Sequence, residues 1–175
     1  MSMRLFRSQV PKLVDSIIHI LTKRHEYVEI VEEADDEFRK DVTAVLYNYL
    51  STDRRLTDRA RRQVEARGED QSMVYSVKHS LARKERFGLN DEAPGFIVGQ
   101  LTEALLHSSN VEEIYAQDHE IMAALLPEIR NVMANQKNLQ QEVAHKIKRF
   151  ERESATWEDL YFQVNQRLNE KYQLD

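Results

Sequence analysis

The chain repeats its own pattern of apolar positions, and this repeat constrains the fold more than any other feature of the sequence. At an offset of 84 residues, apolar positions of the first half fall on apolar positions of the second, namely Leu13, Val14, Ile17 and Leu21 on Ile97, Val98, Leu101 and Leu105. At an offset of 83 the match continues, with Phe38, Val42, Leu46, Leu50, Leu56 and Val64 on Ile121, Leu125, Ile129, Met133, Leu139 and Ile147. Such self-similarity is typical of two stacked copies of one supersecondary unit. We therefore predict two tandem, pseudo-symmetric units, residues 1–88 and 89–175, that share a core.

The residue types favour helices in both units. Only four glycines and three prolines occur in 175 residues, so few positions break a helix. Apolar residues three and four apart predict four helices in each unit, and in the first unit these lie around residues 10–21, 38–50, 56–64 and 73–81. The third helix is predicted to begin after the capping residues 51–53 and to end near Gly68. The fold class predicted from the sequence is therefore all-α, with eight helices in two sets of four.

Two short segments interrupt the helical pattern, at residues 27–31 and 111–115. The first of them is rich in β-branched residues, which suits an extended segment better than a helix. The two segments occupy equivalent positions in the two copies. Because an isolated strand leaves its backbone donors and acceptors unpaired, we expect the segments to pair as a small two-stranded ribbon across the pseudo-two-fold axis.

Several classes of protein are disfavoured by what the sequence lacks. There is no cysteine, which excludes disulfides, thiolate metal sites and cysteine nucleophiles and favours the cytosol. No apolar run approaches the roughly 18 residues of a membrane span, so we expect neither a membrane protein nor an exported one. The six histidines form no metal-binding pair, and no phosphate loop or nucleophile elbow occurs. We therefore predict a non-enzymatic protein without a cofactor.

The candidate binding residues are basic and lie in the first unit. Six arginines fall between residues 51 and 67, and three further cations follow in the next predicted helix; together they are Arg54, Arg55, Arg59, Arg61, Arg62, Arg67, Lys78, Arg83 and Lys84. Arginine pairs bidentately with phosphate, so the tract is suited to a nucleic-acid backbone or an acidic partner. The alternative is a solvated face in which Asp58 pairs with neighbouring arginines of its own helix. The pI of about 5.7 argues against strong nonspecific binding to DNA.

Charge divides unevenly between the two units. Residues 1–88 carry 17 Lys and Arg against 15 Asp and Glu, whereas residues 89–175 carry 8 against 15, so the units present different surfaces. Tyr47 and Phe162 lie off the apolar stripes and are either ordinary surface residues or contacts to a partner.

Our first prediction is a binding or scaffold protein that acts through an unidentified protein partner. The alternative is a nucleic-acid or ribonucleoprotein-associated factor that uses the arginine-rich third helix, and an enzyme of unrecognised type is the third possibility.

Several segments resemble the bacterial domain of unknown function 507. They are residues 3–13, 27–30, 45–50 and the arginine tract 54–61. Residues 77–84 with 87–88 are similar to the end of that domain, and residues 157–161 are similar to another form of the same ending. The first unit is the closer match, because residues 91–95 replace the basic opening in the second unit and its third helix lacks the arginine tract. The resemblance implies a cytosolic, mostly helical bacterial protein and carries no activity over to any residue.

Overall fold

Helices make up most of the part of the chain that the computed structural model describes, residues 3–135. In chain order the elements are α1 (Val10–Thr22), β1 (Val28–Ile30), α2 (Asp35–Ala66), α3 (Val74–Glu85), α4 (Ala93–His107), β2 (Val111–Ile114) and α5 (Asp118–Ala134). Short 3-10 turns lead into three of the helices, at Arg7–Gln9, Gln71–Met73 and Asn90–Glu92, and a fourth, Lys23–His25, follows α1. The prediction of a mostly helical fold with a two-stranded ribbon is confirmed. The predicted helices beyond residue 135, and Phe162 with them, lie outside the described residues.

The second helix is longer than the sequence suggested. α2 continues through 32 residues, so the boundary predicted at residues 51–53 is wrong, and residues 3–88 contain three α-helices instead of four. Neither glycine nor proline occurs in α2, and its buried stripe continues past the expected break, from Tyr49 to Leu56 and Ala60. Asp53 occupies the stripe position between Tyr49 and Leu56. The predicted end near Gly68 is confirmed, since this glycine has the left-handed φ of 65° that suits a residue following a helix.

The predicted ribbon forms between β1 and β2, which pair antiparallel. Val28 lies opposite Ile114 and Glu29 opposite Glu113, and the register then shifts so that Ile30 lies opposite Val111. Backbone hydrogen bonds continue at both ends of the ribbon, from Tyr115 N to Tyr27 O at 2.9 Å and from Val31 N to Asn110 O at 2.9 Å. The ribbon therefore joins segments that lie far apart in the sequence and belong to different predicted units.

The core of the described part draws on helices from both sides of residue 88. One cluster of buried apolar side chains includes residues of all five α-helices. α1 packs against α2 and α5, and α4 packs against α2 and α5. The positions that repeat at an offset of 84 are all buried, namely Leu13, Val14, Ile17, Leu21, Ile97, Val98, Leu101 and Leu105. Within residues 3–135, the expectation of a core shared between the two units is met.

The junction between α3 and α4 is held against α2 by aromatic rings. The Phe87 ring stacks on Tyr49 with 4.8 Å between centroids, and Phe96 meets Phe87 edge-on at 4.9 Å. The Tyr49 hydroxyl donates a hydrogen bond to the Gly88 carbonyl oxygen at 3.0 Å, and burial of this phenol raises the pKa of Tyr49. Gly88 has no room for a side chain, because an added Cβ would lie 2.7 Å from the Glu92 carbonyl oxygen. The junction is thus closely packed around a residue that must be small.

Candidate functional site

Two of the predicted binding arginines are engaged by one carboxylate of α3. Arg55 donates to Glu85 through two parallel hydrogen bonds, Nη1 to Oε1 at 3.1 Å and Nη2 to Oε2 at 2.6 Å. Arg59 Nη1 donates to the same Oε1 at 2.8 Å. The hydrogen bond from Arg55 is the main reason that the pKa of the Glu85 carboxyl lies below its usual range. These arginines therefore fix α3 to α2, a pairing between helices that the sequence did not indicate.

Two further members of the candidate set also form ion pairs. Lys78 Nζ lies 2.8 Å from Asp53 Oδ1, and the two side chains are only 17% and 14% exposed. Arg61 Nη1 lies 3.9 Å from Asp58 Oδ1 one turn away, which is the kind of intrahelical pair that the sequence suggested. Lys78 therefore belongs to a largely buried contact between α3 and α2, whereas Arg61 stays at the surface.

The remaining cations of the candidate set face solvent. Arg54, Arg62, Arg67, Arg83 and Lys84 are all exposed. Apart from Arg54, which has an interaction partner, they form no ion pair or hydrogen bond with any other residue between 3 and 135. The predicted arginine tract is thus divided, with part of its charge used to hold α3 on α2 and part available at the surface.

An open cavity of about 370 Å³ lies beside α3, and four of its lining residues, Tyr75, His79, Arg83 and Asn90, are called the α3 surface. Two carboxylates, Asp91 and Glu92, line the same cavity. Tyr75 is 59% exposed, yet its position is fixed by polar contacts. Asn90 Nδ2 donates to the Tyr75 hydroxyl at 2.6 Å and lies 3.1 Å from His79 Nε2. The Tyr75 and His79 rings meet edge-on at 5.0 Å. The α3 surface therefore presents an exposed, hydrogen-bonded tyrosine in the same cavity as an arginine.

A second cavity, of about 320 Å³, lies between residues 4–7 and the face of α2 that carries Tyr47, Asn48, Ser51 and Arg54. We call it the amino-terminal groove. The guanidinium carbon of Arg7 lies 5.0 Å from the centroid of the Tyr47 ring, and Tyr47 is half-buried. Tyr47, which lies off the apolar stripe of its helix, thus forms part of a cavity wall beneath an arginine.

Sequence reasoning did not single out Tyr75, Asn90 or Arg7. Asn90 lies 15 residues from Tyr75, on the far side of the α3–α4 junction, so no local pattern connects them. A weak signal for the amino-terminal groove was present in the off-stripe position of Tyr47.

Within residues 3–135, no three His, Cys, Asp or Glu side chains are grouped so as to bind a metal ion. Of the helices in this range, none has the length and apolar character needed to cross a bilayer.

Comparison with family models identifies the family of the chain. A family model described as a protein of unknown function (DUF507) matches residues 3–174. The match extends from the first predicted unit through the second. A comparison with curated proteins finds no match to the chain.

Proposed function

The chain belongs to the DUF507 family, and from this premise we propose that it is a non-enzymatic helical binding or scaffold protein that acts through a protein partner. The observation that carries the proposal is the α3 surface, where an exposed tyrosine is held by hydrogen-bonding neighbours beside an exposed arginine. We further propose that the protein is bacterial and cytosolic, which the absence of cysteine and the segments that resemble the family support.

The chemistry of the α3 surface suits a protein interface. Tyrosine and arginine are enriched at the centres of such interfaces, where they contribute a large part of the binding free energy. Binding costs less when the contacting side chain is already ordered, and Tyr75 accepts a 2.6 Å hydrogen bond from Asn90. Arg83 lines the same cavity together with Asp91 and Glu92, so the surface offers charges of both signs to the polar groups of a partner.

The internal ion pairs favour a protein partner over a nucleic acid. A phosphate backbone that used the whole arginine tract would have to displace Glu85 from Arg55 and Arg59, and Asp53 from Lys78. Displacing such partners leaves carboxylates near the phosphates and weakens binding. Nucleic acid stays the second candidate because Arg62, Arg67 and Lys84 are exposed and unpaired within residues 3–135.

We propose in addition that residues 1–88 and 89–175 arose as a tandem duplication. The register of the ribbon supports this, because Glu29 lies opposite Glu113, its own equivalent at the offset of 84. A two-fold axis through this pair would exchange β1 and β2. The same exchange would convert the packing of α1 on α5 into the packing of α4 on α2, and both are present.

A pull-down with matched variants tests the proposed function. The double variant Tyr75→Ser/Arg83→Ser removes the α3 surface, and Tyr115→Ser/Arg62→Ser is the control, since Tyr115 is a comparably exposed tyrosine at 49%. We expect at least one protein to be retained by the wild type and the control, lost with the α3 variant, and bound directly when purified. Retention should persist after nuclease treatment.

Two results would contradict the proposal. Partners that bind the α3 variant and the wild type equally would show that Tyr75 and Arg83 do not contribute to partner binding. A set of partners that disappears after nuclease treatment, together with binding to RNA or DNA that falls steeply with salt, would support the nucleic-acid candidate instead.

A further inference from the structure

The helix α3 is attached to the protein by fewer apolar contacts than its neighbours. Two of its twelve residues are buried, Leu81 and Ala82, whereas α4 buries seven of its fifteen. Val74 and Val77 add partly buried side chains. Within residues 3–135, the extensive packing of α3 is on α2 alone, apart from the turn that leads into α3. Because burial of apolar area is the main stabilising contribution in folding, little of this contribution holds α3 in place.

Ion pairs supply a large part of the remaining attachment. Glu85 binds Arg55 and Arg59 of α2. These three side chains are between 30% and 49% exposed, so salt screens the pairs and each contributes little to the free energy of unfolding. The second attachment, between Lys78 and Asp53, is better shielded from solvent. The hold of α2 on α3 therefore depends on ionic contacts more than that of the other helices does.

The two ends of α3 are anchored differently. Residues 65–73, which precede it, are all exposed, so little ties this connection to the rest of the molecule. At the other end Arg86 has a left-handed φ of 56°, a conformation that costs free energy in residues other than glycine. Phe87 follows directly and is stacked on Tyr49 of α2. If α3 leaves α2, it can therefore turn about Arg86 while the α3–α4 junction stays in place.

We propose that α3 is a latch, a helix that detaches from α2 as one unit while the other helices between residues 3 and 135 stay packed. Detachment dismantles the α3 surface, because Tyr75 and Arg83 move with α3 whereas Asn90 stays at the junction. The regulatory consequence rests on the proposed function. A partner that binds the α3 surface favours the closed state, and conditions that weaken the ion pairs lower its apparent affinity.

Hydrogen exchange of the purified full chain, measured for single amides by NMR, tests the latch. A helix that opens as a unit gives one opening constant, and one dependence on dilute urea, for all its hydrogen-bonded amides. We expect this for the amides of residues 78–85. Their opening constant should exceed those of Leu21 in α1 and Leu101 in α4, both buried, by about tenfold or more.

A core variant separates opening of α3 from global unfolding. Ile17→Val removes one methylene from a fully buried position of α1, which remains packed when only α3 opens. It should therefore raise the opening constants of Leu21 and Leu101 about two- to twelvefold and leave the opening constant of residues 78–85 at the wild-type value.

Two further variants, matched in charge, test the ion pairs. Glu85→Gln releases Arg55 and Arg59 and should raise the opening constant of residues 78–85 about two- to fivefold. Glu37→Gln is the control, since its carboxylate forms an exposed ion pair with Lys40 at 2.8 Å near the other end of α2. Exchange from α3 should be the same in this control as in the wild type.

Three results would overturn the proposal. The first is an equal rise at residues 78–85 and at Leu21 in Ile17→Val, which would mean that α3 opens only when the whole protein unfolds. The second is protection that falls steadily along α3 with an effect of Glu85→Gln in its last turn alone, which would indicate fraying. The third is an equal effect of Glu37→Gln and Glu85→Gln on α3. Because no partner is needed, failure of the latch is distinguishable from failure of the proposed function, which the pull-down tests.

Discussion

Replacing Gly88 by alanine tests the close packing of the α3–α4 junction. The new Cβ would lie 2.7 Å from the Glu92 carbonyl oxygen and 2.7 Å from Phe96 Cβ. Ordinary carbon–carbon contacts begin near 3.5 Å, so Phe96 must retreat by about 0.8 Å. Neither contacted atom can move by side-chain rotation, because one belongs to the backbone and the other is a Cβ. We expect this overpacking to lower the free energy of unfolding by about 1–3 kcal/mol and the Tm by about 2–12 °C.

Two other glycines of the chain are matched controls for this experiment. Gly95 and Gly99 lie in α4, and an added Cβ at either would meet no heavy atom within 4 Å outside the helix. Alanine there should raise the free energy of unfolding by about 0.5–1 kcal/mol, because glycine loses more backbone entropy in a helix. Urea unfolding followed by circular dichroism measures all three variants. A Gly88→Ala midpoint at or above that of Gly95→Ala would refute the close approach at the junction.

Three further substitutions test single contacts. Asp53→Asn should lower the free energy of unfolding at pH 7 by about 1–2 kcal/mol in the wild type and by less in a Lys78→Met background; urea titrations of the four proteins measure the difference. The pKa of Glu85 is lowered, so the stabilisation by its carboxylate is present at neutral pH and is lost as the pH falls through the folded-state pKa. Glu85→Gln should therefore lose less stability than the wild type between about pH 5 and pH 3. The hydrogen bond to Glu29 raises the pKa of Tyr115 to about 12. An ultraviolet titration of Tyr115→Phe should therefore show one tyrosine fewer among those that ionise at the highest pH.

The sequence was sufficient for the helical fold, which follows from local patterns, and for the ribbon, which follows from the repeat. Repeated apolar positions predicted α1 and α4. A short β-branched segment predicted β1, and its equivalent position in the second copy predicted β2. The break predicted within α2 failed for a reason visible at Asp53. This aspartate takes a position on the buried stripe, where it is 14% exposed beside Lys78, so a stripe that is continuous in the structure reads as interrupted when only apolar residues are counted.

The candidate surface was harder to predict because its contacts form between elements. Nothing near Arg55 in the sequence indicates Glu85, which lies 30 residues away and approaches only when α3 packs on α2. Asn90 reaches Tyr75 from beyond the α3–α4 junction, with the left-handed φ of 53° that aspartic acid and asparagine tolerate better than most residues. Composition identified the basic residues themselves. Which of these residues form ion pairs and which stay exposed depends on how the helices pack, so the sequence alone did not show it.

The ribbon also has a consequence for how the protein is made. β1 ends at Ile30 and β2 ends at Ile114, so the ribosome must add 84 more residues before the first strand can pair. At the usual speed of synthesis this takes about 4–17 s. During this interval the nascent chain carries a strand with unpaired edges, the feature that promotes pairing with other chains. Translation rate and chaperone supply are therefore expected to influence the yield of this protein more strongly than that of a helical protein whose contacts are all local.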